Sequence, residues 1–337
     1  MSVSAPEHSA NLRALEEAIL EFIRTGQGCF ETLILAAHSL QRSFCAPYNS
    51  YAQAFPEPGS WREIPALPLT AFRHAEIRAF PAGETIQTFR TSGTTGEGWG
   101  EHHFRTLTLY RAAALEGWQY AGLPRENVFC LMPSPIEAAQ SSLSCMAGWL
   151  APSERFFGGD WSRLIEALSQ EKRGVVLFGT ALAFLDLFEW LGNRQIHLPP
   201  GSLAVETGGY KGTRRSLPKS ELYAMFRERL ALGENDVWNE YGMTELSSQF
   251  YSRGIGNPHR GAPWVRALVI DPESGRECAQ GETGSLRIFD LANLGSCCAV
   301  QTRDLAIRRG DGVFELIGRD PAALPRGCSR SADEMLA

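Results

Sequence analysis

The sequence predicts an α/β fold: a largely parallel sheet flanked by helices, followed in the chain by a small antiparallel β-rich subdomain. Two observations predict it. Between about residues 84 and 242, short β-like runs alternate with helical runs, the order that builds a parallel sheet with functional loops at the strand carboxyl ends. After Gly261 the helical runs stop, and strand-like segments follow one another across turn signals.

The opening is helical. Leu12, Leu15, Ile19, Phe22 and Ile23 recur at helical spacing, and a second helical run spans Glu31 to about Gln41. From Pro47 to Pro81, Pro56, Pro58, Pro65 and Pro68 deny the chain any long regular element, which predicts an irregular strap. The alternation then runs through a strand Thr85 to Phe89, a helix Leu107 to Tyr120, a strand Val128 to Leu131 and a helix Ile136 to Leu150. It continues with a strand Val175 to Phe178, a helix to Leu191, a strand Leu203 to Glu206, a helix Pro218 to Leu230 and a strand Val237 to Asn239. The antiparallel part is predicted over Val265 to Ile270, Ser285 to Phe289, Ala299 to Thr302 and Val313 to Ile317, with turns at Asp271 to Gly275 and Gly310 to Gly312. The expected organisation is a helical and irregular segment over 1–83, an α/β nucleotide-binding core over 84–260, a β-rich subdomain over 261–318 and a tail over 319–337.

Composition narrows the function classes. At 337 residues the chain has room for two domains or one large domain with an appendage. A net charge of −6 offers no general attraction for a nucleic-acid backbone or an anionic membrane. Among the first thirty residues Glu7, Arg13, Glu16, Glu17, Glu21 and Arg24 interrupt the apolar positions, so neither a signal peptide nor a membrane span is expected there. The expectation is a cytoplasmic protein. Its eight cysteines show no C-x-x-C and no zinc spacing, which suits buried thiols in a reducing compartment, with Cys145, Cys297 and Cys298 in apolar runs.

Chemistry concentrates in two segments. Thr91-Ser92-Gly93-Thr94-Thr95-Gly96 follows a predicted strand and gathers hydroxyls and glycines where backbone N–H groups can approach phosphate oxygens. It is not a Walker A loop, since Gly98 precedes Trp99 rather than Lys-Ser/Thr. Taken alone, such a cluster is more often just a turn. Asn239-Glu240-Tyr241-Gly242-Met243-Thr244-Glu245 lies at the end of the last predicted α/β strand.

Together these segments resemble the signatures of the adenylate-forming superfamily of acyl-CoA synthetases, luciferases and peptide-synthetase adenylation domains. Thr302-Arg303-Asp304 and Gly318-Arg319 follow in that family's order. Within the superfamily, Ser141-Ser142-Leu143, Glu206 to Gly212, Tyr241 to Tyr251, Asp290 to Leu294 and Arg326-Gly327-Cys328-Ser329 resemble the LuxE-type acyl-protein synthetases, from about residue 60 onward.

The resemblance implies a fold like the N-terminal domain of those enzymes, with ATP and Mg²⁺ as cofactors. Thr91, Ser92, Gly93, Thr94, Thr95 and Gly96 would hold phosphates, and Glu245 would act with Mg²⁺ as its ligand, a hard oxygen on a hard cation. Gly208, Gly209, Gly242 and Thr244 would line the nucleotide, with Tyr241 against adenine. Asp304 would accept both ribose hydroxyls, as a carboxylate suits a vicinal diol, and Arg319 would add a cation nearby. The loop stretch Glu97-Gly98-Trp99-Gly100 lacks the lysine found there in many superfamily members, and Lys211 is the candidate replacement.

Only 18 residues follow Arg319, so the superfamily's mobile C-terminal lid domain, with its catalytic lysine, is expected to be absent. Cys328 occupies the position of the LuxE-type acyl-accepting cysteine, and Arg326 and Arg330 favour its thiolate. The implied activity is adenylation of a carboxylic acid of fatty type and transfer of the acyl group to Cys328. The acyl group would then pass to a partner such as a fatty acyl reductase. Two alternatives stand beside it: a ligase delivering the acyl-adenylate to CoA or a carrier-protein thiol, and a catalytically silent nucleotide-binding subunit. His102 and His103, as strand neighbours, should face opposite ways. Phe72, Phe89, Trp118, Trp149 and Phe156 suit either an acyl tunnel or an ordinary core.

Overall fold

The computed structural model describes residues 5–91, 99–208 and 217–319. These divide into two compact units: residues 1–117, 243–249 and 261–337 form the first, and residues 118–242 and 250–260 the second.

The first unit begins with α1 (Ala5–Thr25), α2 (Phe30–Phe44) and α3 (Ala46–Ala52), the last with Pro47 in its first turn, where no N–H is missed. The strap that follows holds β1 (Leu67–Pro68) and α4 (Ala71–His74), then a hairpin of β2 (Gln87–Arg90) and β3 (Glu101–Phe104). Helix α5 (Thr108–Tyr120) leads to the second unit.

In the second unit, β4 (Val128–Cys130), α6 (Ser142–Leu150), α7 (Trp161–Ser169), β5 (Val176–Thr180), α8 (Ala181–Leu191), β6 (Leu203–Thr207), α9 (Lys219–Leu230) and β7 (Val237–Tyr241) succeed one another. Strands β4 to β7 pair in sequence order and are all parallel. Antiparallel β8 (Phe250–Arg253) and then β9 (His259–Gly261) extend that side of the sheet. One apolar core joins Phe129 and Leu177 of the sheet to Leu164, Phe184, Phe188 and Phe226 of the helices. The Phe226 ring packs edge-on to Phe184 and Phe188, with centroids at 4.7 and 5.2 Å.

The first unit closes with β10 (Val265–Ile270), β11 (Thr283–Asp290), β12 (Ala299–Gly310) and β13 (Val313–Arg319), paired antiparallel in order, with β1 parallel to β12. The predicted mixed architecture is therefore present: a parallel sheet with helices and a small antiparallel sheet.

Three details depart from the sequence reading. The helix predicted from Ile136 starts at Ser142, because Pro133 and Pro135 interrupt the chain and the Ser141 side chain caps the helix, accepting from Ser144 N at 3.1 Å. Helix α7 is absent from the sequence reading, yet Asp160 caps it through Arg163 N at 3.1 Å and Trp161, Leu164 and Leu168, at helical spacing, face the core. Strand β12 extends eight residues past Thr302, since Thr302, Asp304 and Ala306 alternate inward while Arg303 faces solvent. Among the described residues, no helix is long and apolar enough to cross a membrane.

Candidate active site

In the first unit, the ends of the glycine-rich segment are tied together. Thr91 N donates to Gly100 O at 2.9 Å and Gly100 N donates to the Thr91 hydroxyl at 3.0 Å, so the segment joins β2 to β3. Ser92, Gly93, Thr94, Thr95 and Gly96 lie outside the described residues, as do Gly209, Lys211 and Cys328.

The segment Met243–Gln249 belongs to this same unit and is held from several sides. The imidazole of His102, on β3, donates from Nδ1 to Thr244 O at 2.8 Å. Burial pushes this histidine down to about 4, so it is neutral at pH 7, and the carbonyl partner fixes the proton on Nδ1. Asn293 donates from Nδ2 to Glu245 O at 2.7 Å and accepts the Ser247 hydroxyl at 2.6 Å. Gln41 of α2 in turn donates to the carbonyls of Asn293 and Leu294 at 2.9 and 3.0 Å.

Asp290, at the end of β11, is fully buried and accepts four hydrogen bonds. They come from Ser247 N (2.9 Å), Ser248 N (2.8 Å), the Ser248 hydroxyl (2.6 Å) and Ala292 N (3.0 Å). Burial raises its carboxyl from the ordinary value, and these donors oppose the rise. The result is a partly exposed Glu245 whose own backbone is fixed by buried polar groups. Replacing Asp290 by Asn turns one acceptor into a donor facing N–H groups. Urea denaturation of Asp290→Asn should show stability lower by about 1–3 kcal/mol, and unchanged stability would contradict this account of the loop.

Asp304 sits on the inward side of β12, register partner of Arg319 on β13. Its side chain is 12% exposed, with Arg319 Nε 3.8 Å from Oδ1. The Thr302 hydroxyl accepts from Asp304 N at 3.1 Å and donates to Leu286 O at 2.7 Å, which locks the strand at that carboxylate. His103, on the face of β3 opposite His102, is 3.1 Å from the Thr88 hydroxyl through Nδ1.

In the second unit, Gly208 follows β6 at φ +71°, a conformation that favours glycine. Tyr241 ends β7 with its ring against Phe250 and His259, at centroid distances of 6.3 and 6.2 Å, and Gly242 follows it, half-buried. Beneath these strand ends runs a buried polar chain. Asn239 donates to Glu206 Oε1 at 2.7 Å, and Asn239 Oδ1 lies 2.7 Å from His259 Nε2. The sequence reading assigned no role to Gln41, Asn239, Glu240 or His259, and met Asp290 and Asn293 only as part of a motif. The available signal was a polar residue inside an apolar pattern, as Gln41 is at helical spacing from Ile34 and Ala37.

No protein-family model matches the chain. The long-chain-fatty-acid–luciferin-component ligase of Aliivibrio fischeri is 22% identical over 296 residues, covering 80% of this chain and 78% of that protein. Among solved structures, 2-hydroxyisobutyryl-CoA ligase in complex with 2-HIB-AMP superposes with a TM-score of 0.64 at 16% identity, covering 86% of this chain and 67% of the ligase. ATP-bound MatB from Rhodopseudomonas palustris gives a TM-score of 0.51 at 17% identity over 71% of this chain, which spans about half of MatB (49%). Sequence relative and fold agree with the motifs, and bear out the chain's resemblance to the LuxE-type branch of the adenylate-forming superfamily.

Proposed function

We propose that the protein is an ATP-dependent acyl-protein synthetase that adenylates a fatty acid and passes the acyl group through Cys328 to a protein acceptor, such as a fatty acyl reductase. The observation that carries this reading is the clamped Glu245. A half-buried glutamate on a segment fixed by Asp290, Asn293 and His102 is what a charge-bearing site needs, because a preorganised group costs no reorganisation during reaction.

The donor set suits Mg²⁺ shared with a nucleotide. Among the described residues no three His, Cys, Asp or Glu side chains gather to hold a metal alone, and Mg²⁺ is ordinarily held by one or two carboxylates together with substrate phosphates. Glu245 would supply the protein oxygen, and the ion would neutralise charge on the phosphoryl group. Asp304 would accept the ribose hydroxyls, with Arg319 nearby offsetting its charge. Gly208, at φ +71°, would let the backbone approach the nucleotide beside Tyr241. Thr91 to Gly96 and Lys211 would meet the phosphates.

In the first half-reaction a carboxylate oxygen of the acid bonds to the α-phosphorus, and the bond to the β-phosphate oxygen breaks, releasing pyrophosphate. In the second, the Cys328 thiolate forms a C–S bond to the acyl carbonyl and the C–O bond to AMP breaks. Incubating the full chain with Mg·ATP and radiolabelled palmitate should therefore release AMP and leave hydroxylamine-labile label on the protein. Release of ADP instead would contradict adenylation, and an unlabelled chain that yields acyl-CoA when CoA is added would favour the CoA ligase reading.

A further inference from the structure

We propose that His102 is a positioning residue for Glu245: its Nδ1–H locks the central peptide of the turn that presents the Glu245 carboxylate. The inference rests on the reading of Glu245 as a Mg²⁺ ligand given above.

Thr244 and Glu245 are the central residues of a tight turn, closed by Leu246 N donating to Met243 O at 3.1 Å. That closing bond makes no use of the peptide between Thr244 and Glu245. Types I and II of such a turn differ in which way this peptide faces, and its plane helps to set where the Cα–Cβ bond of Glu245 points. His102 removes the choice. Its Nδ1 donates to the Thr244 carbonyl, the oxygen of that same peptide, at 2.8 Å. Glu245 accordingly avoids the positive φ that a type II turn would demand of it.

The peptide on the other side of Glu245 is held as well, since Asn293 donates to Glu245 O at 2.7 Å. The two clamps come from different parts of the first unit. Asn293 follows the end of β11, whereas His102 sits on β3, just past the Thr91 and Gly100 closure of the β2–β3 hairpin. His102 therefore sets the Glu245 carboxylate relative to that hairpin.

His102 is itself enclosed. It is 1% exposed, with its ring centroid 4.2 Å from that of Phe104 and 5.8 Å, edge-on, from that of Phe72 on α4. Its position on β3 is the register partner of Phe89 on β2. An imidazole so packed has no room to swing off and let the peptide turn over. Burying a polar ring among aromatic rings costs free energy unless it is hydrogen-bonded, and a phenyl ring would fill the space without that cost. What histidine adds at this position is the donor.

The consequence is specific to the metal. On the reading above, Glu245 meets the nucleotide through Mg²⁺, so a turn free to change its central peptide weakens binding of ATP that carries the ion. Metal-free ATP is left nearly as it was.

The test uses the full chain and calorimetric titration with two probes, ATP with Mg²⁺ and ATP in EDTA, on wild type, His102→Phe and His102→Asn. Phenylalanine keeps a ring between Phe72 and Phe104 but has no donor. Asparagine gives up the ring but carries its amide nitrogen on the γ carbon, as histidine carries Nδ1. The wild type should bind ATP more tightly with Mg²⁺ than in EDTA. His102→Phe should lose about tenfold or more in affinity for ATP with Mg²⁺, the usual cost of removing a group that orients a metal ligand, and stay within about twofold of the wild type in EDTA. His102→Asn should stay within about threefold of the wild type on both probes, short of that cost. A histidine that merely packs predicts the reverse order, with His102→Phe near wild type and His102→Asn impaired. That order overturns the proposal, as do equal losses in both variants, a loss in His102→Phe shared equally by the two probes, or no loss at all. If urea denaturation shows His102→Phe unfolded, His102→Leu, which also lacks a donor, takes its place. A wild type that binds ATP no more tightly with Mg²⁺ than in EDTA removes the Mg²⁺ reading of Glu245 itself, and the proposal with it.

Discussion

Glu245→Gln should lower fatty-acid-dependent ATP–pyrophosphate exchange by about 10²–10³-fold, the usual cost of removing one preorganised group at a developing charge. The substitution keeps the size of the side chain and removes its charge. It should leave the fold standing, because the segment is held independently by the Asp290 carboxylate on Ser247 and Ser248, Asn293 on the Glu245 carbonyl, and His102 on the Thr244 carbonyl. The thermal midpoint should accordingly stay near that of the wild type. Raised Mg²⁺ should recover part of the lost rate if Glu245 serves as its ligand. Exchange within about threefold of the wild type, far short of a lost preorganised charge, would remove Glu245 from the chemistry.

Cys328→Ala should abolish covalent acyl label while exchange proceeds at the wild-type rate, because adenylation precedes the thiol step. The other cysteines make the comparison sharp. Cys130 and Cys297 are buried, and burial pushes both thiols up to about 12; Cys145 is raised to about 11, and Cys45, Cys278 and Cys298 also move upward. A thiol so held is a poor nucleophile. Cys29 differs: it is exposed, and hydrogen bonds from the Thr32 backbone and side chain lower its value. It is the competing acceptor, so Cys29→Ala is the informative control. Label that survives Cys328→Ala and disappears in Cys29→Ala would move the acceptor to the start of α2.

Much of this was legible in the sequence because its signals are local. The strand Val265–Ile270 was read at its exact limits, since β-branched residues lie between a proline and a turn. The nucleotide segments were found because glycines and hydroxyls cluster in short motifs. What stayed hidden depends on partners distant in sequence. Gln41 lies 252 residues from Asn293, and nothing in α2 announces that its amide will fix the turn behind Glu245. Asp290 reads as an ordinary charge at a strand end until the fold brings Ser247 and Ser248 to it. Glu240 reads as the polar neighbour of a tyrosine, and only strand register reveals Thr207 opposite it. The short helix α7 was missed for a different reason: its nine residues carry the right period, but too few turns to stand out from a loop.

On the proposed function, this chain joins an organic acid to AMP. The most direct measurement is incorporation of radiolabelled pyrophosphate into ATP by the full chain with Mg²⁺, across a panel of fatty, aryl and amino acids. Exchange should require an added acid, be strongest with a fatty acid, and persist in Cys328→Ala. No acid-dependent exchange with any member of the panel, from folded protein that binds ATP, would contradict it and leave the chain a nucleotide-binding subunit.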